Sequence, residues 1–218
     1  MRNEKSPIAV EGIPFLAGTG LVTVVLVLLA GAIPFCWIFA LVSLILTGFV
    51  AFFFRNPVRN APADDRAIIA PADGVVIYLG PAREEHLGEE MTKISIFMSV
   101  FNVHINRVPM TGTVEDSFYV KGKFLDVRDQ RASFENEQSG LIVRNDRGTR
   151  IVVVQVAGLI ARRIVCYVTK GDRLVRGKRY GLIRFGSRLD VYLPREVAVQ
   201  VKMGDKTIAG ETILGLLP

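Results

Sequence analysis

Between Glu11 and Arg55 the chain carries no charged residue. The stretch is rich in Leu, Val, Ile and Phe, and it limits the folding options more than any other feature. About 20 apolar residues cross the core of a bilayer as a helix, so the run is long enough for two passes. Gly31-Ala32-Ile33-Pro34 lies near its middle and can make the turn. The expectation is a tail over residues 1–12, loose and cytoplasmic, followed by an α-helical membrane hairpin over residues 13–54. A secretory signal would have one shorter apolar core and a small-residue cleavage site. Arg2 and Lys5 precede the first segment, and Arg55 and Arg59 follow the second. Basic residues at both ends favour a hairpin with both ends in the cytoplasm. Passes this short and closely spaced are also compatible with lying in one leaflet. The expected location is the cell membrane, with residues 55–218 on its cytoplasmic face.

Asn56-Pro57-Val58-Arg59-Asn60-Ala61-Pro62 reads as a punctuated linker, because proline blocks helix continuation. Beyond it, short β-branched and aromatic runs recur between Gly and Pro. They are residues 74–79, 92–98, 112–119, 140–143, 150–156, 164–168, 188–192 and 197–201, and each predicts a strand. Ser99–Asn102 reads as one helical turn. Gly171-Asp172 followed by Gly177 echoes Gly204-Asp205 followed by Gly210, as in the turns of lipoyl-like barrels. The predicted fold is therefore mainly β, a compact folded-over β-sandwich or barrel behind the helical hairpin. Lys202 precedes its Gly-Asp turn instead of crowning a hairpin tip, which argues against a carrier lysine.

The formal net charge is +6. From Arg144 to Arg188 only Asp146 and Asp172 oppose many basic residues. Beside a membrane anchor such a region reads first as an anionic-lipid contact, worth about 1 kcal/mol per basic residue near the surface. A solvated face is the plainer alternative, and nucleic acid is not expected. Cys36 and Cys166 give no disulfide framework, and no Cys/His cluster has metal-ligand spacing.

Five motifs occur in order. Pro71-Ala72-Asp73-Gly74 is followed by the block from Phe97 to Pro109, which contains His104-Ile105-Asn106-Arg107. Glu135-Asn136-Glu137, Ala157-Gly158-Leu159-Ile160-Ala161-Arg162-Arg163 and Phe185-Gly186-Ser187-Arg188 complete the series. Each alone is common, but their order and spacing resemble the short form of the phosphatidylserine decarboxylase family.

The resemblance implies a proenzyme that cuts itself between Gly186 and Ser187. It yields a β chain of residues 1–186 and an α chain of residues 187–218, which stay associated. Ser187 becomes a covalent pyruvoyl cofactor, and no metal is implied. Decarboxylation needs an electron sink that natural side chains do not provide. In the family the amine of phosphatidylserine forms a Schiff base with that group, and phosphatidylethanolamine is released. The substrate is expected to stay in the membrane, and a homo-oligomer is compatible with the sequence. His104 is the expected base, because imidazole titrates near neutral pH. His86 sits in a charged, loop-like stretch and reads as a surface residue. Asp73 would orient His104, in an arrangement recognised by geometry and not by chain order. Longer relatives carry a second histidine where this chain has Arg107, which could instead face a substrate oxyanion or make a structural salt bridge. A contrasting reading is a membrane-tethered lipoyl-like adaptor without catalysis.

Overall fold

The computed structural model describes residues 6–129, 131–159, 163–184 and 186–218. It divides into two compact units, one ending at Pro57 and one running from Val58 to Pro218.

In the first unit, helix α1 spans Ile13–Ala30 and helix α2 spans Cys36–Phe53. Each has 18 residues, which at 1.5 Å per residue is roughly 27 Å, close to the thickness of a bilayer core. Both present Leu, Ile, Val and Phe outward, so both are long and apolar enough to cross a membrane. The turn falls at residues 31–35, around Gly31 and Pro34. One polar pin joins the pair, with Thr23 Oγ1 at 2.8 Å from Ser43 Oγ and 3.2 Å from Thr47 Oγ1. Residues 6–12, expected as loose tail, fold back instead. Ala9 N donates to Phe54 O at 2.8 Å, and Asn56 Nδ2 to Ser6 O at 2.7 Å. The first residues thereby satisfy backbone groups left open at the end of α2.

The second unit is mainly β. Its strands are β1 (Ala67–Ile69), β2 (Gly74–Glu84), β3 (Glu89–Met98), β4 (Ile105–Arg107), β5 (Gly112–Val120), β6 (Gln138–Arg144) and β7 (Arg150–Ala157). They continue as β8 (Ile164–Cys166), β9 (Arg173–Leu174), β10 (Arg179–Ile183), β11 (Ser187–Leu193), β12 (Ala198–Val199), β13 (Lys206–Thr207) and β14 (Ile213–Leu216). A curled eight-stranded sheet runs β13-β2-β3-β11-β7-β6-β5-β9, a half-barrel. Two three-stranded sheets, β4-β10-β8 and β1-β14-β12, accompany it. The concave side holds the main core, including Ile94, Ile96, Met98, Val153, Leu189 and Val191. A single-turn helix, α3 (Ala132–Glu135), lies in the segment between β5 and β6. Ser99–Asn102 is a hydrogen-bonded turn and not a helical one, with Asn102 N donating to Ser99 O at 3.0 Å.

The Gly-Asp echo is a structural repeat. Gly171 N donates to Val114 O, and Gly204 N to Val76 O, both at 2.8 Å. In each turn the Asp side chain caps the residue three before it: Asp172 caps Thr169, and Asp205 caps Lys202. β9 then pairs with Gly112-Thr113, as β13 pairs with Gly74-Val75. Part of the basic region is internal. Arg179 and Arg188 are buried, and Arg176 donates to the carbonyls of Pro62, Asp64 and Ala67. This part of the charge serves the fold, which narrows any lipid-facing role to the exposed arginines, Lys170 and Lys178.

Candidate active site

The Gly186-Ser187 pair opens β11, the strand at the centre of the half-barrel. Gly186 has φ +63°, a left-handed backbone that favours glycine. Ser187 pairs with Met98 of β3 on one side and Ala157 of β7 on the other. Side chains alternate along a strand, so Ser187, Leu189 and Val191 share the concave face, and Arg188, Asp190 and Tyr192 the convex face. Ser187 is fully buried, and its hydroxyl oxygen lies 3.4 Å from Met98 Sδ. A thioether is a weak acceptor, so this oxygen is not held by a strong hydrogen bond.

His104 is 2% exposed and lies next to this junction. Its Nδ1 is 3.0 Å from Asn102 O, and Gly186 N–H points at its Nε2 at 3.4 Å. A carbonyl can only accept and a backbone N–H can only donate. The proton is therefore assigned to Nδ1, and the basic lone pair of Nε2 faces the Gly186 amide. The orienting carbonyl is itself held. Asn102 Oδ1 accepts from both N and Oγ of Ser99, each at 2.8 Å.

The hydrogen bonds of Asp73 run to a neighbouring turn. Its carboxylate accepts from Ala209 N at 2.7 Å and from Arg59 Nη2 at 2.8 Å. The equivalent place in the repeat is Thr111, whose hydroxyl accepts from Arg176 N at 3.1 Å. Both residues precede the glycine that opens a paired strand, and both cap the turn after the Gly-Asp motif. Asp73 thus does a fold-building job that a neutral threonine does elsewhere, and the Asn102 carbonyl orients the imidazole. Arg107 is 9% exposed, donates from Nη1 to Gly177 O at 2.9 Å, and runs along Gly210. It joins the two turns of the repeat.

Three further residues pack around the junction. Gln155 Nε2 donates to Asn106 Oδ1 at 2.8 Å, and Asn106 Nδ2 reaches Met98 Sδ at 3.8 Å. Gln155 is 1% exposed and its Oε1 is buried without a partner. A lone amide in the core-facing register of Ile151-Val152-Val153-Val154-Gln155-Val156 was the available sequence signal for it. Gly158 is the third. A Cβ there would fall well inside contact of the Gly186 carbonyl oxygen and 3.0 Å from Val127 Cγ1. The carbonyl next to the serine therefore rests against a bare α-carbon. Asn136, at the centre of Glu135-Asn136-Glu137, donates to Ala157 O at 2.8 Å and to Leu125 O at 2.9 Å. It ties the segment between β5 and β6 to the end of β7. Among the described residues no group of His, Cys, Asp and Glu could hold a metal ion.

Comparison with known proteins decides the family. The sequence model of phosphatidylserine decarboxylase matches residues 46–215. The chain belongs to the phosphatidylserine decarboxylase family. It is 72% identical over 218 residues to the phosphatidylserine decarboxylase proenzyme of Geobacter metallireducens, covering all of both chains. The proenzymes of Geobacter sulfurreducens and Geotalea uraniireducens are each 67% identical over 100% of both chains. Within this family framework, Gly158 gives a direct test of the junction. Gly158→Ala should push the Gly186 carbonyl by on the order of 1 Å, a displacement that costs about 10²-fold in a positioned reaction. Under the self-cleavage proposed below, the expected outcome is a folded chain with unchanged far-ultraviolet circular dichroism that cuts itself about 100-fold more slowly. Normal cleavage in this variant would show that the carbonyl does not need its present seat.

Proposed function

We propose that this decarboxylase acts on phosphatidylserine in the membrane and matures by cutting itself between Gly186 and Ser187. The observation that carries the reading is the buried Gly186-Ser187 junction, with a left-handed glycine before the serine and His104 Nε2 at 3.4 Å from the Gly186 amide. The proposed route uses only the chain's own atoms and water. Ser187 Oγ attacks the carbonyl carbon of Gly186, and acyl transfer from N to O turns the amide into an ester. His104 assists as base, since serine is a weak nucleophile at neutral pH. Removal of the Ser187 α-proton then expels the Gly186 carboxylate by β-elimination. The dehydroalanine left behind takes up water and releases ammonia, which leaves a pyruvoyl group at the head of the α chain.

The residues fit that group. Its position lies at the start of a strand paired on both sides, so a new chain terminus stays in register without the Gly186 link. The pyruvoyl group supplies the electron sink for loss of carbon dioxide, and phosphatidylethanolamine is the proposed product. Met98, Ala157 and the core beneath them exclude water, and Asn106 and Gln155 give the chamber its polar wall. Arg107 bonds to Gly177, which supports a structural role over contact with a substrate oxyanion. Helices α1 and α2 would hold the protein at the bilayer, with both ends cytoplasmic as the flanking arginines and Lys5 imply.

Denaturing mass spectrometry tests the reading. The purified wild type should give two pieces, residues 1–186 and 187–218, the smaller with a blocked N-terminus. A free serine at that terminus would mean ordinary proteolysis and no pyruvoyl group.

A further inference from the structure

The convex face of the half-barrel, opposite Ser187, carries a cavity of about 240 Å³. Lys93, Arg128 and Arg188, the hydroxyls of Ser95 and Ser133, and the Tyr78 ring line it. No carboxylate is among the described lining residues. We propose that this cavity is a binding site for a phosphate-class oxyanion, either free phosphate or the phosphodiester of a lipid headgroup.

Donor accounting carries the inference. Lys93 is 7% exposed, and its Nζ donates to Asp190 Oδ2 at 3.0 Å and Ser133 Oγ at 2.7 Å. An ammonium has three protons, so one is unspent. Ser133 Oγ already accepts from Lys93 and, at 2.6 Å, from Arg188 Nη2. A hydroxyl with both lone pairs occupied has only its proton to offer. Ser95 is 2% exposed, and its hydroxyl has no partner among the described residues. A serine hydroxyl both donates and accepts, so that of Ser95 is available to a ligand in the cavity. These groups line the cavity as donors, while the nearby carboxylates are already ion-paired, Asp190 with Lys93 and Arg188 and Asp126 with Arg128. Asp190 lies behind the wall, between Lys93 and Arg188, at 2.8 Å from Arg188 Nε though poorly aligned as a hydrogen bond. The space therefore calls for a ligand rich in acceptor oxygens. Phe134, 75% exposed, and Ile77 add an apolar lip suited to a glyceryl or acyl portion. The site is separate from the junction chemistry, but Arg188 follows Ser187 directly. Its Nη1 also donates to Val127 O at 2.7 Å, the residue packed against Gly158.

The test is isothermal titration of the full-length protein in neutral-detergent micelles with inorganic phosphate and with glycerophosphoglycerol. Saturable one-to-one binding of either is expected. Tighter binding of inorganic phosphate assigns the site to a soluble anion, and tighter binding of the diester assigns it to a headgroup. Ser95→Ala and Ser133→Ala should each weaken binding by about 5- to 20-fold, consistent with loss of one hydrogen bond to a charged group. Ser95→Ile, which fills the space, should abolish it. Should Ser133→Ala prove unstable in a thermal melt, Ser95→Ala decides alone, because it removes only an unpaired hydroxyl. Failure of both probes to saturate the wild type, or undiminished affinity in Ser95→Ala, overturns the proposal.

Discussion

Ser187→Ala is expected to leave one uncut chain of 218 residues, with cleavage below detection. The substitution removes a single oxygen whose close neighbour is a thioether, 3.4 Å away. Little stability depends on that contact, so the thermal midpoint should stay near that of wild type. β11 keeps its ladder to β3 from Ser187–Met98 through Leu193–Thr92. Loss of cleavage would then report chemistry and not misfolding. The comparison is made by denaturing mass of both proteins prepared side by side. A variant still divided between residues 186 and 187 would mean that another agent makes the cut, and the pyruvoyl reading would go with it. Decarboxylation should be lost along with cleavage, because alanine cannot become an electron sink.

The sequence was legible where burial is periodic over many residues. Helices α1 and α2 lie inside the expected 13–54 hairpin, because an uncharged run that long has few other folds available. The long strands β2, β3, β5, β6 and β7 match their predicted runs, since each alternates or is continuously apolar. β1, β4 and β14 escaped notice because three or four residues are too few to show a period. β10 is the apolar, strand-like run before Gly186-Ser187, and it is buried along its whole length, the arginine at its head included. At the site, motif order singled out Ser187 and His104, and the imidazole lies 3.4 Å from the amide of Gly186, the residue before Ser187. Pattern could not show that Asp73 belongs to a turn, because the same Asp-Gly pair suits a catalytic acid and a cap. The repeat exposes the difference, since Thr111 fills the equivalent slot without a charge. His86, read as a surface residue, is exposed, and there it stacks on Phe118 with centroids 3.5 Å apart and pairs with Glu84 at 3.1 Å. Such a contact between a turn and a distant strand has no local sequence signature. Ile160, Ala161, Arg162 and Phe185 of the family motifs lie outside the described residues.

His104 and Asp73 should separate cleanly on mutation. His104→Ala removes the basic nitrogen beside the junction and should slow self-cleavage by about 10²–10⁴-fold, the usual worth of a positioned base. Asp73→Asn keeps an acceptor for Ala209 N–H and loses the charge paired with Arg59. That change should cost about 1.5–3 kcal/mol of stability, read as a lower thermal midpoint, with cleavage close to the wild-type rate. The pH profile of cleavage discriminates further. If the neutral Asn102 carbonyl orients the imidazole, Asp73→Asn leaves the midpoint of that profile in place. If an ionised Asp73 supported His104, its loss would move the midpoint to lower pH, because imidazolium would lose a stabilising negative charge. Asn102→Ala acts from the other side. It frees the Ser99–Asn102 turn and should slow cleavage by about one order of magnitude while leaving the Arg59–Asp73 pair intact. A rate for Asp73→Asn as low as that for His104→Ala, together with a shifted profile, would restore Asp73 to the catalytic group. It would also mean that the turn-capping geometry describes a state the reaction leaves.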